Sequence, residues 1–198
     1  MYIKELTREQ IELVFNKYMI EDFPEDELKP LKRILEMLDE GIYFAAGLYE
    51  DNDALAGYAY FVKDDENKTA LLDYFAILKE NRCKGYGSVF FDNVKPFLKK
   101  HNVDNLYLET ENVDFAKDEA DKQIRIRRIA FYEKNMLIMS QVRSQLFGVD
   151  YRIMNLNVTC NNVTKGLEFD NQVRYHLSKI YDVMFVRKKL GDRVKIYE

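Results

Sequence analysis

Hydrophobic residues recur at helical spacing in the first part of the chain. Thr7 followed by Gln10 has the pattern of a capping box, in which two side chains close the first turn of a helix. The helix that begins there ends at the segment Asp22-Phe23-Pro24, because proline disfavours helical backbone in the residue before it. A second helix ends near Gly41, a residue suited to the left-handed position after a helix. The apolar positions that predict these helices are Ile11, Val14, Phe15 and Tyr18, and then Leu31, Ile34, Leu35 and Leu38.

The pattern changes to that of strands at residue 42. Residues 42–50, 54–63 and 70–78 are rich in aromatic and aliphatic residues, and polar clusters separate them. The third segment is apolar on both faces except at Asp73, which is typical of a central strand. The sequence therefore predicts three strands after two helices.

The rest of the chain is predicted to alternate helices and strands. A helix over residues 88–100, which Pro96 should kink or interrupt, precedes a strand over residues 105–111. The elements expected after that strand are a helix ending near Lys134 with Asn135 in the left-handed cap, a hairpin of residues 137–147 and 149–158, a last helix, and a strand over residues 194–197.

This order of elements predicts a mixed α/β (α+β) fold. We expect a mostly antiparallel central sheet with helices on both faces, plus a C-terminal helical extension. One domain would span residues 1–158, and residues 159–198 would add a helix and a short strand packed on that domain.

Composition and charge narrow the function. Lys and Arg number 30 against 34 Asp and Glu, a net charge of -4 that argues against binding nucleic acid through its phosphates. No apolar run approaches the ~18 residues of a membrane span, and the N-terminus lacks the pattern of a signal peptide. Cys83 and Cys160 are too few for a disulfide scaffold, and His101 and His176 lack partners at metal-binding spacing. We expect a cytoplasmic protein with no metal, nucleic-acid or membrane partner.

A pair of glycines, Gly85 and Gly87, opens the helix that follows the third strand. Amides at a helix N-terminus have no internal partner, and glycine lets an anion approach them closely. Arg82 and Lys84 add positive charge nearby. The third glycine of a dinucleotide fingerprint is replaced by Phe90, and the Walker pattern is absent. The turn is therefore either a phosphate cradle or a glycine-capped turn without a ligand.

The motif Arg82-x-x-Gly85-x-Gly87 after an apolar strand resembles the acetyl-coenzyme A signature of the GNAT superfamily of N-acetyltransferases. Lys79 and Cys83 stand where many members have Pro and Gly. Residues 130–136, AFYEKNM, are similar to the family's Phe-Tyr-x-x-Gly-Phe segment, with Asn135 in place of the glycine. The resemblance covers roughly residues 1–158.

The resemblance implies roles for these residues. The pyrophosphate of coenzyme A would lie on the N–H groups of the turn, and its pantetheine arm would run beside the end of the third strand. The Ile77 N–H would polarise the thioester carbonyl, and Tyr132 would protonate the departing thiolate; the alternative for Tyr132 is a packed core residue. The implied cofactor-binding residues are Phe75, Ala76, Ile77, Arg82, Cys83, Lys84, Gly85, Tyr86, Gly87 and Ser88.

The proton of the attacking ammonium needs an acceptor, and three carboxylates are candidates. Asp73 lies within the buried strand, and strand alternation would place its side chain on the same face as that of Ile77. Its alternative is a structural role, paired with an arginine such as Arg128. Glu109 and Glu111 share one face of the next strand and would bind a cationic substrate, or else pair with arginines of the following helix, Arg125, Arg127 or Arg128.

We therefore predict an N-acetyltransferase that transfers an acetyl group from acetyl-CoA to a primary amine by direct attack, in a sequential mechanism. The acceptor would be a small molecule or a peptide amine, and the C-terminal helix would shape its pocket, cover the sheet or form a homodimer contact. Two alternatives stay open: a non-catalytic module that binds or senses acyl-CoA, and a protein-interaction module.

Overall fold

The fold is mixed α/β. The computed structural model describes residues 1–25, 27–159, 165–185 and 193–197. Over these residues it contains six α-helices and an eight-stranded, mostly antiparallel sheet, which confirms the fold class predicted from the sequence. The chain forms two compact units, Met1–Lys63 with Leu72–His101, and Asp64–Leu71 with Asn102–Glu198.

The first unit carries the strand order β1-β2-β3-β4. Pairing is antiparallel from β1 to β2, with Tyr2 opposite Tyr49, and from β2 to β3, with Tyr43 opposite Val62. Its elements are β1 Tyr2–Glu5, α1 Arg8–Val14, α2 Ile20–Asp22, α3 Leu31–Asp39, β2 Tyr43–Tyr49, β3 Leu55–Asp64, most of β4 Thr69–Ile77, and α4 Tyr86–Lys100.

The strand β1 was not predicted from the sequence. Only Ile3 of its four residues is even half-buried, so the segment shows no alternation of apolar and polar positions. The predicted capping box is present at α1, with Thr7 accepting from the Gln10 amide. The helical segment ends at Asp22, as predicted, after a π-helical turn at Phe15–Met19 joins α1 to α2.

Pro96 does not interrupt α4. The helix runs from Tyr86 to Lys100 with the proline inside it, so the prediction of an interruption is wrong. Pro96 is exposed, while Phe90, Val94 and Leu98 of the same helix are fully buried. Burial of that apolar face stabilises the helix despite the missing amide.

The second unit carries the strand order β5-β7-β6-β8, with antiparallel pairing throughout. The predicted hairpin turn lies at Phe147 and Gly148, which both have positive φ angles, 51° and 93°. Such a two-residue turn matches the twist of the flanking strands. The elements of this unit are β5 Asn105–Glu111, α5 Glu119–Lys134, β6 Ile138–Leu146, β7 Val149–Asn157, α6 Leu167–Met184 and β8 Val194–Tyr197.

The end of α5 differs from the prediction by one residue. Asn135 has a φ of -96°, whereas Met136 takes the left-handed conformation with a φ of 70°. The Asn135 side chain instead donates to the Phe131 carbonyl at 2.7 Å, so its amide closes the last turn of the helix.

The C-terminal helix α6 packs within the second unit. Its apolar side contacts β6, and Tyr181 and His176 reach side chains of β5. Its buried residues are Phe169, Val173, Leu177, Ile180, Tyr181 and Met184. The boundary predicted between residues 158 and 159 stays a prediction, and part of the predicted tail lies outside the described residues. Among the described helices, none combines the length and apolar composition that crossing a bilayer requires.

Candidate active site

The end of β4 leads into a tightly turned loop. After Ile77, a 3-10 turn spans Lys79–Asn81, and then Cys83 and Gly85 both have positive φ angles, 61° and 83°. The helix α4 begins at the next residue, Tyr86. A Cβ at position 85 would meet no atom within 4 Å, so glycine is needed there for its conformation rather than for space.

The amides of this loop point to an anion site. Gly85 caps α4 without any side-chain hydrogen bond, and the first backbone bonds of the helix run from Ser88 and Val89 to the Gly85 carbonyl, at 3.0 and 3.2 Å. In the described part of the chain, none of the N–H groups of residues 83–87 makes a hydrogen bond of ordinary length and angle to a backbone carbonyl. Free amides at a helix N-terminus, together with the helix dipole, favour an anion such as a phosphate.

Some polar side chains of the loop form ion pairs or hydrogen bonds with residues outside it. Arg82 forms an ion pair with Asp22, with 2.6 Å between its guanidinium nitrogen and the carboxylate oxygen, and its Nε donates to the Ile77 carbonyl at 2.9 Å. The predicted contribution of Arg82 to the positive charge of the loop is therefore largely neutralised. Lys84 is exposed, and among the described residues its one hydrogen-bond contact is a long one, 3.4 Å from its ammonium nitrogen to the side-chain oxygen of Asn81. Tyr86 donates to Glu50 at 2.7 Å.

Asp73 is held by two side chains of the first unit. Its carboxylate oxygens contact the Lys29 ammonium, at 2.6 Å, and the Tyr43 hydroxyl. Burial and the charge of Asp73 raise the pKa of Tyr43 well above its ordinary value, so the phenol keeps its proton. The cation beside Asp73 is therefore Lys29 and not Arg128, which pairs with Glu111.

The predicted shared face of Asp73 and Ile77 stays a prediction. Asp73 contacts the side-chain ammonium of Lys29, whereas the hydroxyl of the next residue, Tyr74, accepts from the backbone N–H of Lys29. Phe75 then packs on Phe90 and Phe91 of α4.

The end of β4 fits closely against β3. A Cβ on Gly57 would lie 2.7 Å from Ile77 Cδ1 and 2.8 Å from the Ala76 carbonyl oxygen, so only glycine allows this approach. The N–H of Leu78 also donates to Ala56 at 2.9 Å. Gly57 was not singled out from the sequence, although a lone glycine inside a strand pattern is a recognised signal of close backbone approach.

The second unit contains Tyr132, Glu109 and Glu111. Tyr132 is half-buried on α5, with its ring 5.3 Å from that of Phe131. Burial raises the pKa of the Tyr132 hydroxyl, and the Arg128 guanidinium opposes part of that rise. A protonated phenol at neutral pH is able to act as an acid.

Glu109 and Glu111 have different partners. Glu111 pairs with Arg125 and Arg128 at 3.0 and 3.2 Å, the structural alternative considered from the sequence. Glu109 instead accepts from Ser144, at 2.8 Å, and from Tyr181. Among the described residues, no group of three or more His, Cys, Asp or Glu side chains is arranged to hold a metal ion.

Comparisons with known proteins identify the family. Residues 8–136, more than half of the chain, match the model of the acetyltransferase (GNAT) family. A putative acetyltransferase of the GNAT family from Bacteroides thetaiotaomicron is similar in structure, with a TM-score of 0.69 and 20% identity over 93% of this chain and 99% of that one. The dodecameric spermidine N-acetyltransferase of Vibrio cholerae has a TM-score of 0.58 and 11% identity over 79% of this chain and 93% of that one. A comparison with curated protein sequences finds no match.

At these identities the structural likenesses show the fold, and the family match adds the class of chemistry. The family match spans α1 to the end of α5 and includes the loop with the free amides. The family uses acetyl-CoA as a cosubstrate, and that loop suits its phosphates. The chain belongs to the GNAT family and is an acetyltransferase of that type.

Proposed function

We propose that this acetyltransferase transfers the acetyl group of acetyl-CoA to a primary amine by direct attack, in a sequential mechanism. The observation that carries the proposal is the N-terminus of α4, which has no side-chain cap and where, in the described chain, the amides of residues 83–87 make no well-formed hydrogen bond to a backbone carbonyl. An anion-binding turn of this kind inside a GNAT acetyltransferase domain supports a coenzyme A site.

The loop amides of residues 83–87 would hold the pyrophosphate, with exposed Lys84 adding charge, because the predicted donors at Arg82 and Ser88 already bond to the Lys79 and Gly85 carbonyls. Acetyl-CoA supplies the acetyl group as an activated thioester. Phe75, Ala76 and Ile77 would lie beside its pantetheine arm. In this proposal the Ile77 N–H donates to the thioester carbonyl, an oxyanion contact worth about 3 kcal/mol in other enzymes.

Tyr132 is our candidate for the acid that protonates the departing thiolate. Its raised pKa keeps the hydroxyl protonated at neutral pH, which an acid requires.

Asp73 is our candidate for the base that accepts the proton of the acceptor amine. An alkyl ammonium has a pKa near ~10.4, so a proton acceptor is needed near neutral pH. If Asp73 is the base, Asp73→Asn lowers kcat by about 100-fold or more while Lys29→Gln costs far less. Equal losses of kcat and of melting temperature in the two variants would assign Asp73 a structural role, as the partner of Lys29.

The acceptor in this proposal is a small-molecule or peptide amine. The structurally similar spermidine N-acetyltransferase makes spermidine a reasonable first amine to test. Glu109 and Glu111, the predicted cationic-substrate residues, would have to give up their contacts with Ser144 and Arg125 in order to bind spermidine.

The dodecameric assembly of that similar structure likewise motivates a measurement of the oligomeric state, for which a homodimer is our prediction. The cytoplasmic location also stays a prediction.

The first test is calorimetric titration of the protein with acetyl-CoA, with coenzyme A and ATP as controls. Selective binding of the two coenzyme A compounds supports the cradle, and thiol release is then followed with spermidine, amino acids, amino sugars and a lysine peptide. Binding without thiol release for any amine would favour a module that senses acyl-CoA. No binding of either coenzyme A compound would overturn the proposal.

A further inference from the structure

The side chain of Arg82 is engaged on both sides of its guanidinium. Its Nε donates to the Ile77 carbonyl at 2.9 Å, and a terminal nitrogen lies 2.6 Å from a carboxylate oxygen of Asp22. The other oxygen of Asp22 accepts from the Tyr58 hydroxyl at 2.8 Å. Arg82 therefore connects the last residue of α2 to the last residue of β4.

Asp22 occupies a position that is unfavourable for a carboxylate. It ends a helix, where the helix dipole disfavours negative charge, and its side chain is only 5% exposed. The arginine and the tyrosine compensate this buried charge with short, charge-assisted hydrogen bonds. A buried ion pair is weak evidence for a role in stability alone, because two apolar residues often serve as well.

A neighbouring ion pair provides a control. The side chains of Glu21 and Lys79 lie 3.1 Å apart, and this pair also joins α2 to the loop that follows β4. Both side chains are more than half exposed, at 63% and 60%. Neither side chain of that pair bonds to β4 in the described structure. Exposed ion pairs of this kind contribute little to the free energy of folding.

The contact from Arg82 fixes one particular peptide group. The Ile77 carbonyl and the Leu78 N–H belong to the same peptide, whose N–H donates to the Ala56 carbonyl at 2.9 Å. With Arg82 on the carbonyl, this peptide is held on both sides. The preceding peptide, between Ala76 and Ile77, carries the Ile77 N–H, so its position depends on the peptide that Arg82 holds.

The geometry points to Arg82 as a positioning residue: its guanidinium, oriented by Asp22, holds the end of β4 so that the Ile77 N–H meets the thioester carbonyl. This inference rests on the proposed function, in which that N–H polarises the thioester. It assigns the pyrophosphate to the loop amides and not to the Arg82 side chain. Displacements of about 1 Å in a reacting group can cost 100-fold in rate, so a small shift of β4 is enough to be measured.

The experiment compares Asp22→Asn and Arg82→Lys with the control Glu21→Gln. We measure coenzyme A affinity by calorimetry, kcat with the best amine of the panel, and the carbonyl stretch of bound acetyl-CoA carrying carbon-13 at the thioester carbon. For both test variants we expect coenzyme A affinity within about twofold of wild type, because backbone amides hold the phosphates. We expect kcat to fall by about tenfold, with the stretch moving towards that of free acetyl-CoA. Glu21→Gln should match the wild type in all three.

Three results would overturn the inference. Weaker coenzyme A binding in Arg82→Lys with unchanged kcat would make the guanidinium a phosphate ligand. Wild-type kcat and carbonyl stretch in Asp22→Asn would remove any positioning role, and equal loss in Glu21→Gln would reduce the effect to general stability. If a test variant does not fold, Tyr58→Phe, which removes only one bond to Asp22, takes its place with the same expectations. Failure of the wild-type protein to bind acetyl-CoA would instead overturn the proposed function itself.

Discussion

At the scale of single residues, substitution of Tyr132 tests its proposed catalytic role separately from the binding of acetyl-CoA. Tyr132→Phe removes only the hydroxyl of a half-buried ring. We expect kcat to fall by about 100-fold, the usual contribution of a general acid, with acetyl-CoA affinity unchanged. Steady-state kinetics and calorimetry check this, and an unchanged kcat would exclude Tyr132 as the acid.

Gly85 tests the anion cradle, and Gly148 is its matched control. Both have positive φ angles, 83° and 93°, and neither would bring a Cβ within 4 Å of another atom. Alanine at either position should therefore cost about 1 kcal/mol of unfolding free energy through backbone strain. Only Gly85→Ala should also weaken coenzyme A binding, because only that strain falls on the loop amides. Equal coenzyme A affinity in the two variants would contradict the cradle.

At the scale of elements, we expect Pro96 to lower the stability of α4, the helix that contains it. The proline is exposed within the helix and lacks the amide that would bond to the Asp92 carbonyl. Pro96→Ala should raise the free energy of unfolding by about 1–3 kcal/mol, measured by chemical denaturation. Pro30→Ala, at the N-cap of α3 where no intrahelical hydrogen bond needs the missing amide, should give no gain. A loss of stability in Pro96→Ala would contradict this account.

The elements also show what the sequence could predict. Apolar periodicity located nearly every helix and strand, because burial of one face determines the pattern. It missed β1, whose residues are mostly exposed. It identified the loop from Gly85 and Gly87 but not the partners of Arg82 and Asp73, since Asp22, Tyr58, Lys29 and Tyr43 are distant in sequence. Such partners follow from tertiary packing, which local patterns do not encode.

At the scale of the whole molecule, buried tyrosines predict sensitivity to alkali. Burial raises the pKa of several phenols above the ordinary value of about 10: Tyr43, Tyr58, Tyr60, Tyr107 and Tyr181. The unfolded chain therefore loses these protons first as the pH rises. Their contribution to stability is complete below about pH 10 and is lost progressively above it.

We expect the melting temperature to fall steeply from about pH 10 upward, together with phenolate absorbance that develops only as the protein unfolds. Melting curves between pH 8 and pH 11.5, followed by circular dichroism and by absorbance at 295 nm, would measure both. Phenolate absorbance that develops in full near pH 10 without any loss of structure would contradict the burial of these side chains.

The anion site proposed for this enzyme is made of peptide groups, and this has a consequence for how such proteins diverge. Every residue except proline brings the same N–H to the loop, so the side chains at Cys83, Lys84 and Tyr86 can be exchanged without removing a donor. The path of the backbone has to be retained, and in the sequence it is marked by the glycine at position 85, which has the left-handed conformation. A descendant could therefore lose almost all recognisable similarity and still hold the same ligand. This fits a fold shared with a solved structure at only 11% identity.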